Sequence, residues 1–143
     1  DREAAEDFTT AVVLEVPAEA PDRVRLVNRG HPAPLLLHGG TARFVRPDAF
    51  ALPLGMGDLG YWPDRADVVP FPHDAQLLLY TDGLSEARNA QGTFYAPDRR
   101  LADRRFGDPH ELLDAVIDDV TAYTGGDSAD DLALLAVQRR HPR

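Results

Sequence analysis

The chain has 143 residues, 43% of them apolar, which suits one ordinary domain with its own core and argues against a disordered tail. Twenty-four acidic residues against fifteen basic ones, all Arg, give a net charge of −9, and that excludes a nucleic-acid partner held through backbone phosphates. The absence of Cys removes disulfides, thiolate metal sites and cysteine nucleophiles, and no apolar run approaches the roughly 18 to 20 residues of a membrane span, so the composition predicts a soluble, cytoplasmic protein without membrane insertion.

Residues 8–16 (FTTAVVLEV) are apolar and β-branched, and residues 24–27 (VRLV) alternate, which predicts a hairpin with a loose tip at 17–22. After the turn-rich RGHPAP of residues 29–34, residues 35–38 and 41–46 predict a second hairpin closed by Gly39-Gly40. Residues 47–60 read as an ordered loop, and a strand is predicted near 66–69. Residues 76–81 (QLLLYT) are apolar without a break before the Thr, as expected of a strand buried on both faces.

Helix signals are confined to the second half. Residues 84–90 (LSEARNA) predict a short helix ending near Gly92. A longer one is predicted over 109–124, with Asp108 as cap, Pro109 in the first position, Glu111 completing a capping box and Gly125 as the stop. Its apolar residues Leu112, Leu113, Val116, Ile117, Val120 and Tyr123 recur at three- and four-residue steps and should form one buried face. Residues 132–137 (LALLAV) predict another buried strand, followed by basic residues at 139–143. Two hairpins, two buried strands and one long helix make an α+β layered fold.

Asp supplies eighteen of the acidic residues, and most are expected in turns, caps and solvated loops because a short carboxylate competes for nearby backbone amides. Asp82 is different: it follows a core strand directly, and the residues after Gly83 form helix more readily than a returning strand. Asp127, Asp130 and Asp131 crowd together just before the last strand, where like charges cost free energy unless solvent or a cation offsets them. If the two strands are antiparallel neighbours, these carboxylates share one edge of the sheet. Oxygen donors without sulfur suit Mg²⁺ or Mn²⁺. His31 is expected to be a hydrogen-bonded turn residue, and His38, His73, His110 and His141 form no ligand pair. Ser85 lacks the Gly-x-Ser-x-Gly setting of a hydrolase nucleophile, Glu86 and Arg88 flank Asp82, and Trp62 reads as a core or rim aromatic.

The run Tyr80-Thr81-Asp82-Gly83-Leu84-Ser85-Glu86-Ala87-Arg88-Asn89 resembles the central signature of bacterial metal-dependent serine/threonine phosphatases of the 2C type, in the stage II sporulation protein E subgroup. Residues 8–11 (FTTA), 28–36 (NRGHPAPLL), 52–56 (LPLGM) and 130–135 (DDLALL) resemble further motifs of that family in the same order. The resemblance runs from about residue 8 to residue 139. It implies a central β-sandwich flanked by helices, with two metal ions at one end of the sheets and a metal-bridging water that attacks the phosphorus of phosphoserine or phosphothreonine. It also implies Asp82 and Asp130 as metal ligands and catalytic residues, and Asp131 as a ligand or as the residue that orients a metal-bound water. The substrate it implies is a phosphoprotein, an anti-sigma-factor antagonist in bacterial signalling, and a sensory domain upstream is common in the subgroup.

Two motif positions depart from the family, Arg29 where Ala is usual and Ala133 where Thr is common. The family's opening Gly-Asp-Val-x-Gly-x-Gly segment, whose Asp bridges both metals, has no counterpart here; Gly57-Asp58-Leu59-Gly60 imitates it but follows the Pro-Leu-Gly loop. Residues 1–139 are therefore expected to be the C-terminal two-thirds of a phosphatase domain whose N-terminal portion is missing, and 140–143 a short basic tail. On this reading the chain by itself binds Mn²⁺ weakly and hydrolyses phosphoesters poorly or not at all. The reading from a different class is a catalytically inactive phosphatase-like module that binds a protein partner.

Overall fold

A computed structural model describes residues 8–48, 51–56, 65–126 and 131–140. Among the described residues, seven strands and three helices follow one another as β1 (Ala11–Glu15), β2 (Arg23–Arg29), β3 (Leu35–His38), β4 (Thr41–Phe44), β5 (Asp67–Pro70), β6 (Gln76–Tyr80), α1 (Asp82–Ser85), α2 (Pro97–Arg100), α3 (Pro109–Thr124) and β7 (Leu134–Gln138). The strands form two antiparallel sheets, ordered β1-β2-β5 and β4-β3-β6-β7, so the α+β class expected from the sequence is the observed one. No helix among the described residues is long and apolar enough to cross a membrane.

The chain divides into two compact units. The first, residues 1–33 and 46–71, holds the three-stranded sheet. Val24, Leu26 and Asn28 alternate inward along β2, as the pleat requires. Thr9 and Leu54 exchange backbone hydrogen bonds of 2.9 and 2.8 Å, which ties the 51–56 segment to the strand start.

The second unit, residues 34–45 and 72–143, holds the four-stranded sheet and the helices. Gly39 (φ 60°) and Gly40 (φ 85°) make the tight β3–β4 turn, where left-handed geometry at both central residues matches the twist of the strands. Strand β6 lies between β3 and β7 and is buried at all five positions. Its Leu78 and Tyr80 join Leu35, Leu37, Leu84 and the α3 residues Leu112, Val116 and Val120 in one core. Helix α3 has the bounds read from its signals: Asp108 Oδ1 accepts from Glu111 N at 2.8 Å, and Gly125 ends it at φ 72°. The Glu111 carboxylate reaches Gly107 N at 2.8 Å, one residue before the cap.

Three expectations are corrected, and one helix was not expected. Ile117 is 46% exposed, because at 100° per residue it lies farthest of the apolar set from the stripe of Leu112, Val116, Val120 and Tyr123. The helix predicted over 84–90 is a single turn, Asp82–Ser85. Asn89 stops it: its Oδ1 accepts from Gln91 N and Thr93 N at 3.1 and 2.8 Å, a local turn that outcompetes helical bonding and pairs Arg88 with Phe94 across a small loop. The 132–137 strand begins at Leu134 and, among the described residues, is an edge strand, with Leu134 and Ala136 packed on the core and Leu135 58% exposed. Helix α2, begun by Pro97, has no counterpart in the sequence reading.

Candidate metal centre

Because β6 and β7 run antiparallel with Tyr80 opposite Leu134, the end of β6 and the approach to β7 meet at one edge of the sheet. That edge carries Asp82 and Asp131, both exposed. Three features fix the main chain beneath them. Thr81 Oγ1 donates to the Asp131 carbonyl at 3.2 Å and accepts from Ala133 N at 3.0 Å, while Thr81 N donates to Ala133 O at 3.2 Å. Gly83 packs so closely on this segment that a Cβ there would overlap the Asp131 carbonyl oxygen. Leu84, fully buried, anchors the helical turn in the core.

Gly83 is therefore required by a close approach of backbones rather than by a hairpin turn. Thr81 and Gly83 hold this backbone and are what a reading for titratable groups passes over; their signal is a Thr and a Gly flanking Asp82 at the end of an apolar run. Among the described residues the Asp82 and Asp131 carboxylates have no hydrogen-bond or ion-pair partner, an open arrangement of hard oxygen donors that fits Mg²⁺ or Mn²⁺ chemistry. Among the described residues no group of three or more His, Asp or Glu side chains is assembled for a metal. Asp127, Asp130, Asp58, Trp62 and His141 lie outside the described residues.

The other singled-out residues sit apart from this pair in role. Ser85 Oγ makes a long 3.5 Å contact to Asp82 O, a backbone carbonyl that cannot serve it as a base. Glu86 caps α1, and Arg88 stacks over Phe94 at 4.8 Å. In the first unit His31 is a turn residue, its backbone N–H donating to the buried Asn28 Oδ1 at 2.8 Å and its ring Nδ1 3.2 Å from Thr10 Oγ1. Arg29 Nε donates to Leu52 O at 2.7 Å, and a Cβ on Gly30 would come within 2.6 Å of Pro53.

A second charged cluster, unforeseen in the sequence, is more completely satisfied. Asp119 on α3 accepts from Tyr95 OH at 2.7 Å and from Arg100 Nε and Nη2 at 3.0 and 2.8 Å. Burial favours protonation of Asp119, but the hydrogen bonds from Arg100 and Tyr95 and the Arg100 charge outweigh it and hold the carboxyl below its usual range. Burial, reinforced by the bond to Asp119, drives the Tyr95 hydroxyl well above its ordinary pKa.

The family model for stage II sporulation protein E (SpoIIE) matches residues 1–140. The chain is similar to the phosphatase domain of the cell fate determinant SpoIIE from Bacillus subtilis, at 12% identity and a TM-score of 0.69, covering 97% of this chain and 61% of that one. It is also similar to a Bacillus subtilis structure of the PP2C phosphatase domain of SpoIIE with a fragment of its regulatory domain, at 18% identity and a TM-score of 0.70, covering 84% of this chain and 35% of that one. The RsbU and RsbW domains of Rv1364c from Mycobacterium tuberculosis match at 30% identity with a TM-score of 0.55, covering 85% of this chain and 34% of that one. No curated protein matches. The chain thus spans about three-fifths of the SpoIIE phosphatase domain it resembles in fold. With 140 of its 143 residues matched by the family model, the chain belongs to the stage II sporulation protein E family.

Proposed function

We propose that this chain is the C-terminal part of a metal-dependent protein serine/threonine phosphatase, and that Asp82, Asp130 and Asp131 hold its divalent cations, Mn²⁺ or Mg²⁺. The observation that carries this is the pair of open carboxylates, Asp82 and Asp131, on a backbone locked by Thr81 and Gly83. Two bound cations would supply an activated water and neutralise charge on the phosphoryl oxygens. The protein's part is placement. Thr81 and Gly83 keep the β6 and β7 ends in fixed register, so a cation meets preset oxygens instead of ordering them itself.

The substrate in this proposal is a phosphoserine or phosphothreonine protein, an anti-sigma-factor antagonist. The similarity to a chain that joins RsbU and RsbW domains supports that target class, and a cytoplasmic location and an upstream sensory domain go with it. The test is Mn²⁺-dependent phosphate release from a phosphoserine peptide by the full-length protein. Asp82→Asn should lower turnover by more than about 100-fold, since even partners one shell beyond a metal ligand typically account for 10- to 100-fold. Turnover unchanged by Asp82→Asn, or indifferent to chelation, would sink the assignment.

A further inference from the structure

The edge that carries Asp82, Glu86 and Asp131 is negative, and the substrate proposed for it is an anion, so a positive side chain beside that edge bears on which anions approach. Arg88 is that side chain. Residues 82–87 turn helically, with Glu86 N donating to Asp82 O at 2.8 Å and Ala87 N to Leu84 O at 3.2 Å, so Arg88 follows Asp82 at roughly 10 Å by helical rise. Its exposed guanidinium stacks at 4.8 Å over the ring of Phe94 and, among the described residues, makes no hydrogen bond or ion pair, although the chain has twenty-four acidic residues.

Phe94 is half exposed, and it is the one exposed aromatic among the described residues of the second unit. An aromatic ring left in water beside an uncommitted arginine has the composition of a recognition surface, where aromatic and Arg side chains are enriched. The similar pair of Arg104 and Phe106 differs in both respects: its ring is partly buried, and it lies before the start of α3, away from the aspartates.

The platform is held before anything binds. Arg88 and Phe94 face each other across a small loop whose backbone is closed by Tyr95 N donating to Ala87 O at 2.7 Å and Asn89 N to Thr93 O at 3.0 Å. Tyr123 OH, in the last turn of α3, lies 3.0 and 3.1 Å from Thr93 O and Phe94 O and ties the loop to that helix. Helix α3 ends at Thr124 and the chain reaches Asp131 shortly after, so loop and cation edge occupy the same end of the second unit. A surface already ordered in the free protein loses little conformational freedom on binding.

We propose that Arg88 and Phe94 form a docking platform for the phosphoprotein segment beside the phosphorylated residue, Arg88 taking an acidic side chain and Phe94 an apolar one. The proposal rests on the phosphatase reading for its substrate class. An extended segment advances about 3.3 Å per residue, so roughly 10 Å places the acidic residue about three positions from the phosphoserine. The platform selects by the sign of charge at that position, and the selection weakens with salt.

The test is fluorescence anisotropy with the full-length protein in Mn²⁺ and two labelled peptides that carry a non-hydrolysable phosphonate in place of the phosphoserine ester, one with Glu and one with Lys about three residues to either side. The expected result is about tenfold tighter binding of the Glu peptide, because the exchange replaces an attraction with a repulsion, each modest at an exposed site. Arg88→Glu should reverse the order, and Phe94→Ala should weaken both peptides several-fold. Equal affinities in the wild type, or a preference for Glu that survives Arg88→Glu, overturn the proposal. Phosphate release from the matching phosphoserine peptides separates the two readings: release without a charge preference contradicts the docking platform alone, and the preference without release contradicts the phosphatase assignment alone.

Discussion

Asp119 and Asp82 are carboxylates beside the same core, and the protein treats them in opposite ways. Asp119 is closed: three donors surround it, and its oxygens are used up in joining α3 to Tyr95 and α2. Asp82 is open. Its own backbone is held by Thr81, Gly83 and Leu84, yet among the described residues nothing pairs with its carboxylate. A closed carboxylate joins elements of the fold, whereas an open one on a fixed backbone is what the proposed cation site requires.

Substitutions can break the contrast, beginning with the largest effect. Asp82→Asn should abolish nearly all metal-dependent turnover while leaving the melting temperature within a degree or two, whereas Asp119→Asn should lower the melting temperature and leave metal affinity unchanged; thermal melts beside Mn²⁺ titrations distinguish them. Gly83→Ala forces a methyl against the Asp131 carbonyl and should cost about 1 to 3 kcal/mol of stability in denaturant unfolding, with loss of metal binding. Tyr95→Phe removes a hydrogen bond to a charged acceptor and should cost about 2 kcal/mol by the same measurement, without altering metal affinity. Thr81→Val keeps the shape but loses two hydrogen bonds at an exposed edge, where water replaces them in part, so about 1 kcal/mol is expected.

The closed cluster also sets a pH dependence. Asp119 has a folded-state pKa below its unfolded one, so its contribution is fully present above about pH 3.9 and is lost as the pH falls through the lower folded value. Tyr95 has the opposite shift for a group that is neutral when protonated. Its contribution is complete below about pH 10 and declines above, where the unfolded chain releases the proton that the fold retains. In Tyr95→Phe the alkaline decline should flatten, as urea midpoints measured between pH 8 and 11 would show.

What could be read in advance divides by the range of the signal. Helix α3 and the Gly39-Gly40 turn are encoded within a few residues by a cap, a Pro, a Gly or a Gly pair, and both stand where those residues put them. Asp82 was legible because a polar strand end after QLLLY is a local contradiction. The 84–90 segment is not the predicted helix because Asn89 offers its own turn, and the exposed face of β7 is not encoded locally because an apolar run does not reveal which neighbours flank it. Thr81 and Gly83 take their meaning from residues about fifty positions away, and Tyr95 from Asp119 twenty-four away; those contacts exist only once the chain is folded.

The central claim is that the β6 and β7 ends form a cation site through Asp82 and Asp131. Paramagnetic broadening by Mn²⁺ in the ¹⁵N-labelled chain tests it most directly. The expected result is selective loss of amide signals at residues 81–84 and 131–133, reversed by EDTA and absent in Asp82→Asn. Broadening centred elsewhere, or unchanged in Asp82→Asn, would contradict it.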